Sequence, residues 1–208
     1  MKTIASRNVN YNTFSAPIIF TENEYVDKLK LLVKKSILYD PTLVLHSDED
    51  IRKKYRTSII AVDENSYWII GNSSLYPTTF PSLQEIYDDF GVLIRIGETG
   101  SSVIDPDYRN LWIGKRLIIE ADGQLWVKYD AIIGATVNNI MCDMRIKELG
   151  YELAPFPNDL YEEWKMYLAP KMPGGIREFE EKATCIIKFR LKNTQSNIRK
   201  RVFDALSY

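Results

Sequence analysis

Apolar residues recur at helical spacing over Tyr25, Val26, Leu29, Leu32, Val33 and Ile37, which predicts one helix with a single buried stripe. Thr21, followed three residues on by Glu24, supplies the reciprocal cap that starts it, and Asp40-Pro41 stops it. Ser47 with Asp50 opens a second, shorter helix through about Tyr55. The period then changes. Ser58-Ile59-Ile60-Ala61-Val62 and Tyr67-Trp68-Ile69-Ile70 flank the turn-rich Asp63-Glu64-Asn65-Ser66 and predict a β-hairpin. Residues 71–90, rich in Ser, Thr, Pro and aromatics, read as a long connection. A strand is expected from Gly91 to Ile96 and on past Gly97 to about Ile104, where Asp105-Pro106-Asp107 ends it.

Beyond that point helix and strand alternate. A helix from about Ile113 to Lys128 precedes a strand from Ala131 to Val137, then a helix from Asn139 to Leu149 closed by Gly150, then a strand from Tyr151 to Pro155. Such alternation buries a sheet between helices, so the expected class is α/β (α+β), a three-layer sandwich with a mixed central sheet flanked by helices. Asp159-Leu160-Tyr161-Glu162 starts a further helix, Pro170 to Gly175 breaks it, and Thr184 to Leu191 supplies a last strand. The 208 residues are expected to form one domain, with an insertion at about 156–182 and a short C-terminal extension at about 193–208. That extension carries Arg199-Lys200-Arg201, which reads as a solvated helix face.

Composition narrows the function classes. Lys plus Arg (27) nearly cancels Asp plus Glu (28), so no global field favours nucleic acid, and none is expected as a partner. No targeting segment and no apolar run long enough for a bilayer is present, so a cytoplasmic protein without a membrane partner is expected. Two distant cysteines, Cys142 and Cys185, make neither a disulfide scaffold nor a zinc site, and no metal is expected. The single histidine, His46, has no partner motif nearby and reads as structural or solvent-facing. Catalysis, where present, is left to carboxylates, tyrosines or backbone groups.

One segment carries candidate chemistry, Ser102 to Leu117. A strand ends, a tight loop follows and a helix begins near Ile113, so amides at the helix start point outward without internal partners and form an anion cradle. Arg109, Lys115 and Arg116 add positive charge to it. Ile104-Asp105-Pro106-Asp107-Tyr108-Arg109 followed by Arg109-x-x-Trp112-x-Gly114 resembles the signature of the GNAT acyltransferases, a strand ending V-x-P and then [QR]xxGx[GA]. Downstream, Asn139, the helix to Leu149 and Gly150-Tyr151 match a second family element. The two together cover roughly residues 90–155.

The resemblance implies an N-acyltransferase that moves an acyl group, acetyl in the first instance, from CoA to an amine by direct attack in a ternary complex. By that resemblance Val103, Ile104, Arg109, Asn110, Leu111, Trp112, Ile113, Gly114, Lys115 and Asn139 line the site of acetyl-CoA or another acyl-CoA. Glu98, eleven positions before Arg109, takes the place of the catalytic base; the alternative is that it pairs with Arg95 or another cation. The acceptor is an amine-bearing small molecule or a protein, and a homodimer stays open. Two departures stand out. Trp112 occupies a family glycine, either obstructing the cradle or turning into the core, and Ile146 replaces the tyrosine that serves as general acid. Thiolate protonation then needs another group, with Tyr151, Tyr161 and Tyr167 as candidates, or solvent, and Cys142 reads as a packed small residue. Tyr76, Phe80, Tyr87 and Phe90 either line a pocket or anchor loops, and the aromatic, acidic stretch from Phe156 to Lys182 either covers an acceptor site or packs on the sheet. Two rival functions follow from the departures: a non-catalytic acyl-CoA-binding or interaction module, and a synthase using a longer acyl group on a carrier protein.

Overall fold

The computed structural model describes residues 10–40, 43–78, 83–125, 128–136, 138–155, 184–190 and 196–207. Among these, seven strands form one sheet in the order β1-β2-β3-β4-β5-β7-β6. The strands are β1 (Tyr11–Ser15), β2 (Ser58–Asp63), β3 (Ile69–Pro77), β4 (Ile96–Ile104), β5 (Ala131–Thr136), β6 (Glu152–Leu153) and β7 (Thr184–Phe189). Neighbours are antiparallel except β4 and β5, which run parallel, so the sheet is mixed as expected.

Six helices accompany it among the described residues: α1 (Ala16–Ile19), α2 (Glu22–Ile37), α3 (Asp48–Lys54), α4 (Ile113–Leu125), α5 (Asn139–Leu149) and α6 (Ser196–Leu206). None is long and apolar enough to cross a membrane. Thr21 caps α2 with the predicted reciprocal pair, and Ser47 caps α3 by accepting from the Asp50 amide. Gly150 ends α5 in the left-handed conformation, φ 74°.

Alternation along β2 explains the layering. Ile60 and Val62 face a cluster with Tyr25, Val26, Leu29 and Leu32 of α2, whereas Ile59 and Ala61 face Ile113, Leu117 and Ala121 of α4. In β5, Ala131 and Ile133 pack towards Val202 and Leu206 of α6, while Ile132 packs with Cys142 of α5 and Tyr151. The tail helix therefore buries a full apolar side. Its basic residues face outward, Arg199 on Glu152 and Arg201 on Asp89.

Three element boundaries differ from the pattern-based expectation. The hairpin strand does not stop at Ile70 but continues to Pro77 through Asn72, Ser73 and Ser74, all buried. Polarity hid this stretch, yet the side chains satisfy one another. The Tyr25 hydroxyl lies 2.7 Å from Ser58 Oγ and donates to Asn72 Oδ1 at 3.1 Å, and Ser58 and Ser74 hydroxyls meet at 2.7 Å. Second, β4 begins at Ile96; residues 91–95 only bridge back, Leu93 to Tyr87. Third, the strand after α5 is reduced to Glu152–Leu153, and Tyr151 enters the core. The predicted helix start at Asp159 lies outside the described residues.

Candidate functional site

Strands β4 and β5 pair only over Ile96–Ala131, Gly97–Ile132 and Glu98–Ile133, although β4 runs on to Ile104 and β5 to Thr136. Past Glu98 the two strands part. Gly134 stands at the point of parting, where a Cβ would come 2.5 Å from Thr99 Cγ2. On its other side β4 carries one extra residue against β3, because Asn72 faces Val103 and Ser74 faces Gly100. The bulge holds Ser101 at φ 52°, and Asn72 Nδ2 donates to the Ser101 carbonyl at 2.8 Å. The buried polar strand missed in the sequence pattern thus supports the bulge from behind.

Two clefts meet where the strands separate, and Ser102, Val103, Asn138 and Met141 line both. The larger, of about 840 Å³, runs along the end of β4 and the start of α4. Lys35 anchors this loop, donating to Asp105 at 2.7 Å and Asp107 at 2.8 Å. Burial of the Lys35 ammonium acts to lower its pKa, but the hydrogen bonds to the two carboxylates outweigh this and raise it above its ordinary value. The first helical bond of α4 runs from the Arg116 amide to the Trp112 carbonyl, so the Ile113, Gly114 and Lys115 amides precede the ladder. A Cβ on Gly114 would meet Ile104 Cγ1 at 3.5 Å, ordinary contact, whereas a large side chain there would fill the cradle.

Of the residues expected to hold a donor, Val103, Ile104, Arg109, Asn110, Trp112, Ile113, Gly114 and Lys115 line this cleft. Leu111 instead packs against the α4 core cluster. Asn139 is exposed on the first turn of α5 and outside the lining, while its neighbour Asn138 lines both clefts and caps the helix by accepting from the Met141 amide. Arg116 turns away to Glu120 and the Tyr11 ring, and Lys115 is bonded to Glu148. Trp112 does not enter the core: it is 71 % exposed at the cleft rim, beneath the Lys115 ammonium. Its φ of 62° lies in the left-handed region that favours glycine, which is the physical sense of a glycine at this position.

The smaller cleft, about 280 Å³, lies between α2, α3, β4 and α5. Glu98 forms part of its wall, is 6 % exposed, and accepts a hydrogen bond from the Tyr76 hydroxyl at 3.0 Å. Arg95, the cation proposed as an alternative partner, engages Asp130 instead. His46 is not solvent-facing: its Nε2 lies 3.2 Å from Ser101 Oγ and 3.4 Å from Lys54 Nζ. Lys54 donates to Ser101 Oγ at 2.9 Å and sits over the Tyr76 ring. From α5, Arg145 reaches Thr99 Oγ1 at 3.1 Å.

The remaining candidates are occupied elsewhere. Tyr151 donates to Asp122, itself paired with Lys188, and burial pushes its hydroxyl pKa up. Ile146 packs with the α5 core, and Tyr161 and Tyr167 lie outside the described residues, as does Phe80. Tyr87 and Phe90 are exposed. Burial raises both thiols, Cys142 above its ordinary value and Cys185 up to about 12, the latter with help from the nearby Glu98 carboxylate. Lys54, Ser101 and Arg145 escaped sequence reasoning, and His46 reads there only as structural or solvent-facing. Arg145 alone left a trace there, a charged residue in helical phase with Met141 and Cys142.

No protein-family model matches the chain, and no curated protein sequence does. Solved structures do. The chain has the GNAT acetyltransferase fold. It is similar to the NatC complex bound to Gag peptide and CoA, at 17% identity and TM-score 0.58, over 86% of this chain and 98% of that one. A mosquito arylalkylamine N-acetyltransferase-like protein aligns at 16% identity and TM-score 0.57, over 86% of this chain and 100% of that one. N-acetylglutamate synthase from Neisseria gonorrhoeae, solved with coenzyme A and N-acetyl-glutamate, aligns at 12% identity and TM-score 0.54; 89% of this chain spans 36% of that protein. The GNAT fold places the separating parallel strands, the bulged β4 and the loop into α4 in one frame.

Proposed function

We propose that this protein is an acyl-CoA-dependent N-acyltransferase, with acetyl-CoA as donor and an amine as acceptor. The observation that carries this reading is the opening between β4 and β5, with Glu98 at the last paired position and the amide-rich loop into α4 at the other end of β4. The donor cleft suits the CoA pyrophosphate: the helix-start amides of Ile113, Gly114 and Lys115 supply donors and a positive dipole end, and Arg109 adds charge. Asn138 takes the place foreseen for Asn139 beside the donor.

Glu98 takes a proton from the acceptor amine as its nitrogen attacks the thioester carbonyl. A C–N bond forms, the C–S bond breaks, and the thiolate leaves to take a proton from solvent, since Tyr151 is committed to Asp122. Both substrates held on one frame convert an encounter of two molecules into a local step, which accounts for most of the acceleration. Tyr76 holds the Glu98 carboxylate towards the cleft. The structural neighbours solved with coenzyme A support the donor class.

Calorimetric titration with acetyl-CoA tests this. The wild type is expected to bind, and Gly114→Trp, which fills the cradle, to lose binding while keeping its melting temperature. No binding by the wild type at millimolar acetyl-CoA overturns the proposal.

A further inference from the structure

The smaller cleft contains a cation for which the transfer chemistry has no use. Arg145 is 6 % exposed, and a guanidinium withdrawn from water is costly unless an anion accompanies it. Among the described residues none does. Its side chain makes one hydrogen bond, to the neutral hydroxyl of Thr99, and its guanidinium lies 5.4 Å from the centre of the Tyr151 ring. The surrounding carboxylates are held by others: Asp122 by Lys188, Asp143 by Lys147, Glu148 by Lys115. Most of the five N–H donors of the fork are therefore left for something that enters the cleft.

Position decides what that is. Arg145 lines the smaller cleft and not the donor cleft, so the fork serves the acceptor side rather than CoA phosphates. Its anchor, Thr99, directly follows Glu98 in β4, and Arg145 and the proposed base line the same cleft. Lys54 adds a second positive charge to the same wall. A planar fork matches a carboxylate through two parallel hydrogen bonds, and about 280 Å³ suits a compound of amino-acid size.

Building on the acyltransfer reading, we infer that the acceptor is a small amine that also carries a carboxylate, with Arg145 gripping the carboxylate while the amine faces Glu98. The amine loses its proton to Glu98 and gains the acyl group; the carboxylate is unchanged. Arg145 is then the residue that sets acceptor specificity, and neutral amines of the same shape are rejected because they leave the buried fork unpaired.

Thiol release from acetyl-CoA, measured with free amino acids and with the matching amino acid amides, tests the inference on the wild-type protein. The free acids are expected to exceed their amides by about ten- to a hundredfold in kcat/KM. Arg145→Gln should raise KM for the acids by a similar factor with little change for the amides, and Arg145→Lys should restore part of the preference. Acetyl-CoA affinity and melting temperature monitor the fold of both variants. Where no turnover is seen, calorimetry of the same acid and amide pairs on the CoA-saturated protein gives the reading, and tighter binding of the acids supports the inference. Amides handled as well as acids, by turnover or by binding, overturn it and leave the acyltransfer reading standing. Failure of acetyl-CoA to bind at all overturns both.

Discussion

Tyr76 and Glu98 face each other in register across β3 and β4, and the phenol donates to the carboxylate at 3.0 Å. The base proposed for acyl transfer is therefore held by a strand that the hydrophobic pattern does not reveal. Glu98→Gln is expected to lower kcat by about a hundredfold or more without changing acetyl-CoA affinity, since loss of a general base removes about two to four orders of magnitude. Tyr76→Phe, which removes one of the contacts that orient the carboxylate, should lower kcat by up to about tenfold. Steady-state kinetics beside calorimetry separate the two effects, and a Glu98→Gln variant of full activity would remove Glu98 from the mechanism.

Trp112 holds a left-handed backbone angle with an exposed side chain, so little packing offsets the strain. Trp112→Gly is expected to stabilise the fold by up to about 1 kcal/mol, the conformational cost being of order 1–2 kcal/mol and partly returned by the freer unfolded chain. Thermal melting reads this directly. Acetyl-CoA affinity should hold or rise, because the cradle amides stay in place and its rim opens.

Asp63 closes the β2–β3 turn, accepting from the Asn65 and Ser66 amides at 2.9 Å, and receives the Tyr108 hydroxyl from the loop before α4. The bond from the Ser66 amide is the largest influence holding its pKa below the ordinary 3.8, with burial opposing. The folded state thus binds its proton less readily than the unfolded chain. The stabilisation is present above the unfolded value and disappears as pH falls through the folded one. Asp63→Asn should cost about 1 kcal/mol at pH 7 and flatten the acid limb of the stability curve below about pH 4. Urea unfolding at a series of pH values checks it; parallel curves for the two proteins would contradict it.

How much of this was legible follows from what each residue interacts with. Thr21 and Glu24 act on amides within their own turn, so α2 could be placed from neighbours in sequence. The loop from Asp105 to Gly114 was likewise local. Asn72, Ser73 and Ser74 suggested a loop because their partners, Tyr25, Ser58 and Ser102, are distant along the chain. His46 and Arg145 show the same limitation at the site: each meets β4, at Ser101 and Thr99, only through tertiary folding. The resemblance points to Asn139, whereas Asn138 caps α5 by accepting from the Met141 amide, a distinction that rests on backbone geometry and not on residue type.

Strand β7 lies between β5 and β6, antiparallel to both, although it follows them in the chain. On the ribosome, the cleft-forming strand β5 is complete more than forty residues before the strand that covers its far edge. Until Phe189 emerges, β5 presents an open row of backbone donors and acceptors, a template for pairing with another chain. Completion of this edge of the sheet is in this sense a late event of synthesis, and nascent chains stalled before Thr184 are expected to aggregate more readily than the finished chain.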